Sequence, residues 1–338
     1  AVPARDYYEP LLKPRLNVAR LQDSQSGSSQ VSFVYRFNDK DTFGQSDYRH
    51  RLLTQITLSA VTRQVRRQQA ELPQDASSLV VRKSDIGKTT AALGFFANVM
   101  PGGHDAAISA VLKEIERFKR YPLNEQDITE ITSDIREVAQ RMSDTPEKRE
   151  FSDWVQQLTI VWQQDRPYVG SQQRGKDALE ALDTITAEDV NRHWQRWLAS
   201  PDTLVQFSVP GATPFTLPKP DAIRKLQAQW AAATLAPLQV EKEKVIPELP
   251  AVTQSGKRTA VKTFSAQKVE QWQLSNGDRV VWLRAPEAGK KVYLTAVSDA
   301  GYLSTSTNPW QVQLASQLVN QSGPATWSGE ALSNWKKE

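Results

Sequence analysis

Three histidines, His50, His104 and His193, are the side chains best able to hold a metal or move a proton, and the chain has no cysteine. The missing thiols exclude disulfides, thiolate zinc sites and cysteine nucleophiles. A helical zinc site needs two histidines three or four residues apart, with a glutamate beside them, so that both rings share a face. No two histidines here are that close in sequence. His50, within Asp47-Tyr48-Arg49-His50-Arg51, reads as a solvated residue on the charged side of a helix start. His104 follows Gly102-Gly103 at a helix N-terminus, where the helix dipole would lower its basicity; it is either a cap neighbour or part of a site. His193 lies four residues after Asp189, which suggests a local pair on a packed helix. A Ser-His-Asp triad stays open, because its members need not be adjacent, but no Gly-x-Ser-x-Gly elbow occurs. Gly87, Gly102 and Gly103 lack phosphate-loop spacing.

Charge excludes another class. The 42 basic and 38 acidic residues are interspersed, whereas nucleic-acid footprints gather charge on one face. The densest cluster, Arg63, Arg66 and Arg67, has helical spacing opposite an apolar face and reads as a solvated helix surface. No nucleic-acid partner is expected. Among ten tryptophans, Trp154, Trp162, Trp194 and Trp197 fall on helical apolar stripes. Core packing or domain contact is therefore expected of them rather than ligand stacking.

Helices and strands must position whatever site exists. Leu16–Leu21 and Val31–Phe37 read as strands separated by a polar loop. Tyr48, Leu52, Ile56 and Ala60, extended by Leu53, Val61 and Val65, set a long amphipathic helix. Leu79–Val81 and Ala91–Phe96 flank a Gly-containing turn as a second strand pair. Helical stripes follow at Ile108 to Phe118 and Ile128 to Val138, the second capped by Asn124. Pro146 suits the first position of a further helix bearing Phe151, Trp154, Val155, Leu158 and Trp162. Two shorter helices come next, around Ala178 to Leu182 and Val190 to Leu198, with a capping box at Thr186. Leu204–Val209 is a closing strand, and Asp221 to Leu235 adds a helix. The order gives an α+β unit, helices covering a largely antiparallel sheet.

With 338 residues there is room for two packed units, since a domain takes roughly 100–200 residues. Composition shifts to Pro, Lys, Glu, Thr and Ser after Ala236, without periodicity, so 237–268 reads as a linker. Beyond it, Asn276-Gly277 between Glu270–Leu274 and Arg279–Leu283 is a strong hairpin signal. Val292–Val297 is expected as a third strand and Trp310–Val319 as a helix. No run of about 18 apolar residues occurs, which argues against a membrane span. The opening Ala1-Val2-Pro3-Ala4-Arg5 lacks the basic and apolar regions of a secretory signal, so any such signal was removed or lay upstream.

Several stretches resemble the M16, pitrilysin/insulinase-type, zinc metallopeptidase family. Val111–Phe118 followed by Pro122–Ile128 is similar to its helix-turn-helix element, and Leu182–Val190 to a later element that precedes a strand. Trp272–Val281 is similar to the opening hairpin of a family half, and Ala300-Gly301 to the glycine after its third strand. The resemblance implies that residues 1–236 are the second, metal-free domain of the first half, and 269–338 the truncated beginning of a degenerate second-half domain. Where an active copy has Leu-Ala-His-x-x-Glu-His, this chain reads Leu314-Ala315-Ser316-Gln317-Leu318-Val319-Asn320. Ser316, Val319 and Asn320 thus replace both ligands and the base, and no catalytic or metal residue is expected in the segment. The family implies zinc in the parent protein, held upstream, with peptide or small-protein substrates and a periplasmic location. The segment would form chamber wall and linker between halves, or, if the parent lacks the motif, a non-catalytic scaffold or binding protein. The strand pair Leu79–Ser84 and Ala91–Met100 could offer an edge to an extended peptide.

Overall fold

The computed structural model describes residues 9–27, 29–39, 48–163, 167–211, 213–238, 248, 251, 255–285, 292–297, 308–324 and 326–336. The chain divides into two compact units, Ala1–Val240 and Glu241–Glu338.

In the first unit the strands are β1 (Arg15–Asp23), β2 (Gln30–Asn38), β3 (Ala76–Asp85), β4 (Thr90–Val99) and β5 (Asp202–Pro210). They form a five-stranded sheet in the order β1-β5-β2-β4-β3. Every pairing is antiparallel except β1 with β5, which is parallel from Arg15 opposite Asp202 to Asp23 opposite Pro210. Alternation decides which face is covered: Val31, Phe33, Tyr35 and Phe37 on β2, Leu93, Phe95 and Ala97 on β4, and Val205 and Phe207 on β5 are all buried. Residues between them point to the other face, where Val34 and Phe96 are half-buried and Asn98 is exposed.

The helices supply the covering layer. They are α1 (Tyr48–Gln68), α2 (His104–Arg120), α3 (Glu125–Asp144), α4 (Phe151–Gln163), α5 (Ser171–Leu182), α6 (Ala187–Leu198) and α7 (Pro220–Ala232). Leu52, Ile56, Ala60 and Val61 of α1, with Ile108, Val111, Ile115 and Phe118 of α2, join the strand residues in one hydrophobic core. Asn124 caps α3 by accepting from the Gln126 and Asp127 amides, and Thr186 and Asp189 form the capping box of α6. α3 and α5 approach so closely at Gly175 that a Cβ there would lie 2.6 Å from the Ala139 carbonyl oxygen and the Ser143 nitrogen. The α+β architecture with a largely antiparallel sheet is as the pattern indicates.

Three local expectations are corrected. α4 begins at Phe151, not Pro146, because the Glu147 carboxylate accepts from the Tyr168 hydroxyl at 2.6 Å and the Ser171 amide at 3.0 Å, holding 146–150 out of the helix. No residue of α4 is buried, and Trp162 is 81% exposed, so its stripe is not core. Residues 292–297 are irregular and exposed rather than a strand.

In the second unit, β6 (Arg258–Phe264), β7 (Val269–Leu274) and β8 (Arg279–Leu283) form an antiparallel sheet in that order. β6 lies inside the stretch read as linker, where the strand's own polar composition hid it. Gly277, at φ +94°, takes the left-handed position of the hairpin turn. Trp272 and Trp282 stack with ring centroids 6.1 Å apart, and the Arg258 guanidinium sits 5.0 Å over Trp272. α8 (Pro309–Gln321) and α9 (Gly329–Trp335) follow. None of the described residues of this unit is buried. Ala300 and Gly301 lie outside the described residues.

Candidate functional site

Ser316, Val319 and Asn320 all fall within α8, and Ser316 and Val319 are exposed. A hydroxyl and an isopropyl group supply neither imidazole, thiolate nor carboxylate, so these positions do not fit zinc. Among the described residues no group of three or more His, Cys, Asp or Glu side chains could hold a metal.

His50 and His193 sit differently from their sequence reading, while His104 opens α2 as expected. His50 is 9% exposed, not solvated, and its Nε2 donates to Asp39 Oδ1 at 2.7 Å. His193 does not pair with Asp189, whose carboxylate instead serves the Thr186 cap and Arg49. It turns inward, its ring edge-on to His50 with centroids 5.1 Å apart. Arg196 can only donate, so His193 Nδ1 accepts from it at 3.5 Å, and Nε2 carries the proton toward Thr54 Oγ1 at 3.1 Å. His104 is buried, and its Nε2 donates to the Ser208 carbonyl at 2.9 Å, pinning α2 to β5. No nucleophile–base–orienter chain connects the three.

His50 and His193 belong to a buried charge cluster at one end of the sheet. Asp39, just past β2, receives His50 from α1 and Lys83 from β3, the latter at 2.8 Å, while Arg196 from α6 stands at 3.7 Å. Lys83 also meets Asp85 at 3.0 Å. Burial pushes the Asp39 carboxyl up, but the bonds and charges of His50 and Lys83 outweigh it and hold the group below the usual carboxylate range. Lys83 shows the mirror image: burial lowers it, and Asp39 with Asp85 raise it further than that. His193 has no carboxylate bonded to it; burial, then the Arg196 and His50 charges, depress it to about 3. Neutral His193 beside an Asp39-centred ion network is an anchor for β3, not an acid–base pair poised near neutral pH.

That anchor matters because β3 is an edge strand; among the described residues no further strand pairs with its outer side. The 3-10 turn Gln69–Glu71 after α1 places the Gln69 side-chain amide on this edge. Its Nε2 donates to the Leu79 carbonyl at 2.7 Å, and its Oε1 accepts from the Leu79 amide at 3.0 Å. In an antiparallel pair, residues facing the partner alternate with residues facing away. The Ile86 amide bonds to the Thr90 carbonyl across the hairpin, so even-numbered β3 residues face β4. Leu79, Val81 and Lys83 therefore present their peptide groups outward, Leu79 covered by Gln69 and the other two at the edge. This arrangement can accept one extended chain by β-sheet hydrogen bonding. The edge strand was legible as a strand; Gln69 was not, since nothing in a glutamine near a helix end marks what its amide will meet.

The Arg63 and Arg67 reading also changes, while Arg66 is exposed on the helix surface as expected. Arg63 meets Glu130 at 2.9 Å, and Arg67 grips Asp127 with both terminal nitrogens, joining α1 to α3 rather than facing solvent. Trp194 and Trp197 are fully buried, as their stripe indicates. Trp154 is half-buried against Tyr168, with centroids 5.6 Å apart.

No protein-family model and no curated protein matches the chain. Solved structures do. A point mutant of the ferredoxin protease FusC, in complex with Arabidopsis ferredoxin, is 90% identical with a TM-score of 0.74, matching 100% of this chain and 38% of that one. The periplasmic protease PqqL from Escherichia coli is 16% identical with a TM-score of 0.60 over 99% of this chain and 37% of its own length, a likeness of fold. A predicted insulinase family protease from Yersinia pestis, 14% identical, has a TM-score of 0.52 over 65% of this chain and 47% of that one. This chain thus spans less than half the length of each of these proteins.

Proposed function

We propose that this chain, a relative of the M16-type peptidases, is a non-catalytic segment of a zinc endopeptidase and forms chamber wall and linker between its halves. The observation that carries the reading is the 90% identity, over the whole of this chain, with a protease of which it spans 38%. The replacements at Ser316, Val319 and Asn320 agree with a degenerate half that leaves zinc to residues elsewhere in the parent. Because the 90% identical protease is bound to ferredoxin, we take ferredoxin as the substrate of the parent. We also infer a periplasmic parent, which is supported by the periplasmic protease PqqL of like fold. Residues 1–236 are assigned to the metal-free second domain of the first half and 269–338 to the start of the second half.

The test compares the full-length parent with the 338-residue chain. The parent is expected to cleave ferredoxin in a chelator-sensitive way, and the isolated chain to do neither that nor bind stoichiometric zinc. Chelator-sensitive cleavage by the chain alone would overturn the assignment. A parent with no peptidase activity and no upstream His-x-x-Glu-His would favour the second reading, a scaffold or binding protein of the same fold.

Within the wall, the outer edge of β3 is the place where an extended substrate strand would seat. A ferredoxin-derived peptide is then expected to slow amide exchange at Val81 and Lys83 and to leave Val80 and Arg82, already turned to β4, unchanged. Protection without that alternation would remove the β3 reading.

A further inference from the structure

The first unit completes its core without one of its most apolar helices. On α4, Phe151, Val155, Leu158 and Trp162 are 83%, 49%, 48% and 81% exposed. Their spacing of four, three and four residues places them within about 60° of one another around a helix of 3.6 residues per turn, a stripe roughly 17 Å long. α4 is tied to its own unit along another flank, where Trp154 meets Tyr168 and the Arg149 guanidinium stands 5.9 Å from the Trp154 ring. The stripe itself meets no core.

Composition narrows what covers it. Asp153 is the single charged residue from Phe151 to Gln163, and the remaining polar positions are Ser, Thr and Gln. Helices that lie on lipid surfaces carry Lys and Arg on their polar face, and this one has none. Sites that steer transient partners carry complementary charge. Depletion of charge around two large aromatics at the ends of an aliphatic line is the make-up of a permanent interface. The 90% identical protease supplies the candidate surface, since 38% of that chain corresponds to this one and the remainder lies beyond it.

We propose that the Phe151-Val155-Leu158-Trp162 stripe docks permanently against an apolar patch on a part of the parent peptidase outside this chain. The inference rests on the reading of the chain as a segment of that peptidase. Its test is amide exchange of residues 151–163 in the full-length parent and in the 338-residue chain, both without substrate. Exchange at least ten-fold slower in the parent is expected, and lost in a Phe151→Ala/Trp162→Ala parent. The same double variant of the 338-residue chain is expected to keep its melting temperature, because no core contact is removed.

Equal exchange in the two proteins overturns the proposal. So does a dimer of the 338-residue chain that dissociates on Trp162→Ala, which would make a second copy the occupant, or binding of that chain to phosphatidylglycerol vesicles. Peptidase activity reads the other hypothesis separately. Protection without activity keeps the docking stripe and removes the peptidase reading; activity without protection does the reverse.

Discussion

The side-chain amide of Gln69 brackets the peptide unit of Leu79, donating to its carbonyl at 2.7 Å and accepting from its amide at 3.0 Å. A primary amide has the same donor and acceptor pair as a backbone peptide, so Gln69 stands where one residue of a neighbouring strand would. It shields the start of an edge that otherwise invites pairing with other chains.

Gln69→Ala is expected to destabilise the first unit by about 1–3 kcal/mol, because two hydrogen bonds to the Leu79 peptide and one to the Val65 carbonyl are lost at a half-buried side chain. Amide exchange at Leu79 should accelerate while Val80 is unaffected. An unchanged Leu79 amide would mean that the bracket contributes nothing.

Asp39→Asn leaves Lys83 and His50 with a neutral partner in a buried site, and breaking such a pair typically costs about 3–5 kcal/mol. The wild-type carboxyl is depressed, so its contribution is fully present above the unfolded value of about 4 and is lost as pH falls toward the folded value. Denaturant midpoints of the two proteins should therefore converge below about pH 4.

His193 works in a different window. It is depressed to about 3, against about 6.5 when unfolded, so the unfolded state binds a proton that the folded state refuses. Stability should rise with pH between these values, by up to about 1.4 kcal/mol per unit, and fall as acid is added. In His193→Gln that slope should flatten between pH 4 and 6, as read from urea melts. An identical slope would show that the ring is protonated in the fold.

Gly175→Ala should destabilise the α3–α5 pair by about 1–3 kcal/mol, because the new methyl meets backbone rather than a movable side-chain end. The helix preference of alanine over glycine, about 1 kcal/mol, acts in the opposite direction and is outweighed. Thermal melts of the two proteins measure the difference; a raised melting temperature would show that the helices can part.

The sequence by itself determined most local elements of the first unit and which of their faces are apolar. Leu52, Ile56 and Ala60 recur every helical turn, Thr186 and Asp189 stand three apart, and Asn276-Gly277 separates two β-type runs. Each depends on residues within a turn or two of one another. Tertiary structure alone decided that β1 and β5, at opposite ends of the first unit's sequence, lie parallel in its sheet. It also brought His50, Lys83 and His193 around Asp39, and set Gln69 on the Leu79 peptide. The Trp154–Trp162 helix marks the limit: periodicity says that a face is apolar, while burial depends on which distant surface packs against it. Contacts between remote residues carry no spacing that a chain can display in advance, so their chemistry emerges only when the layers meet.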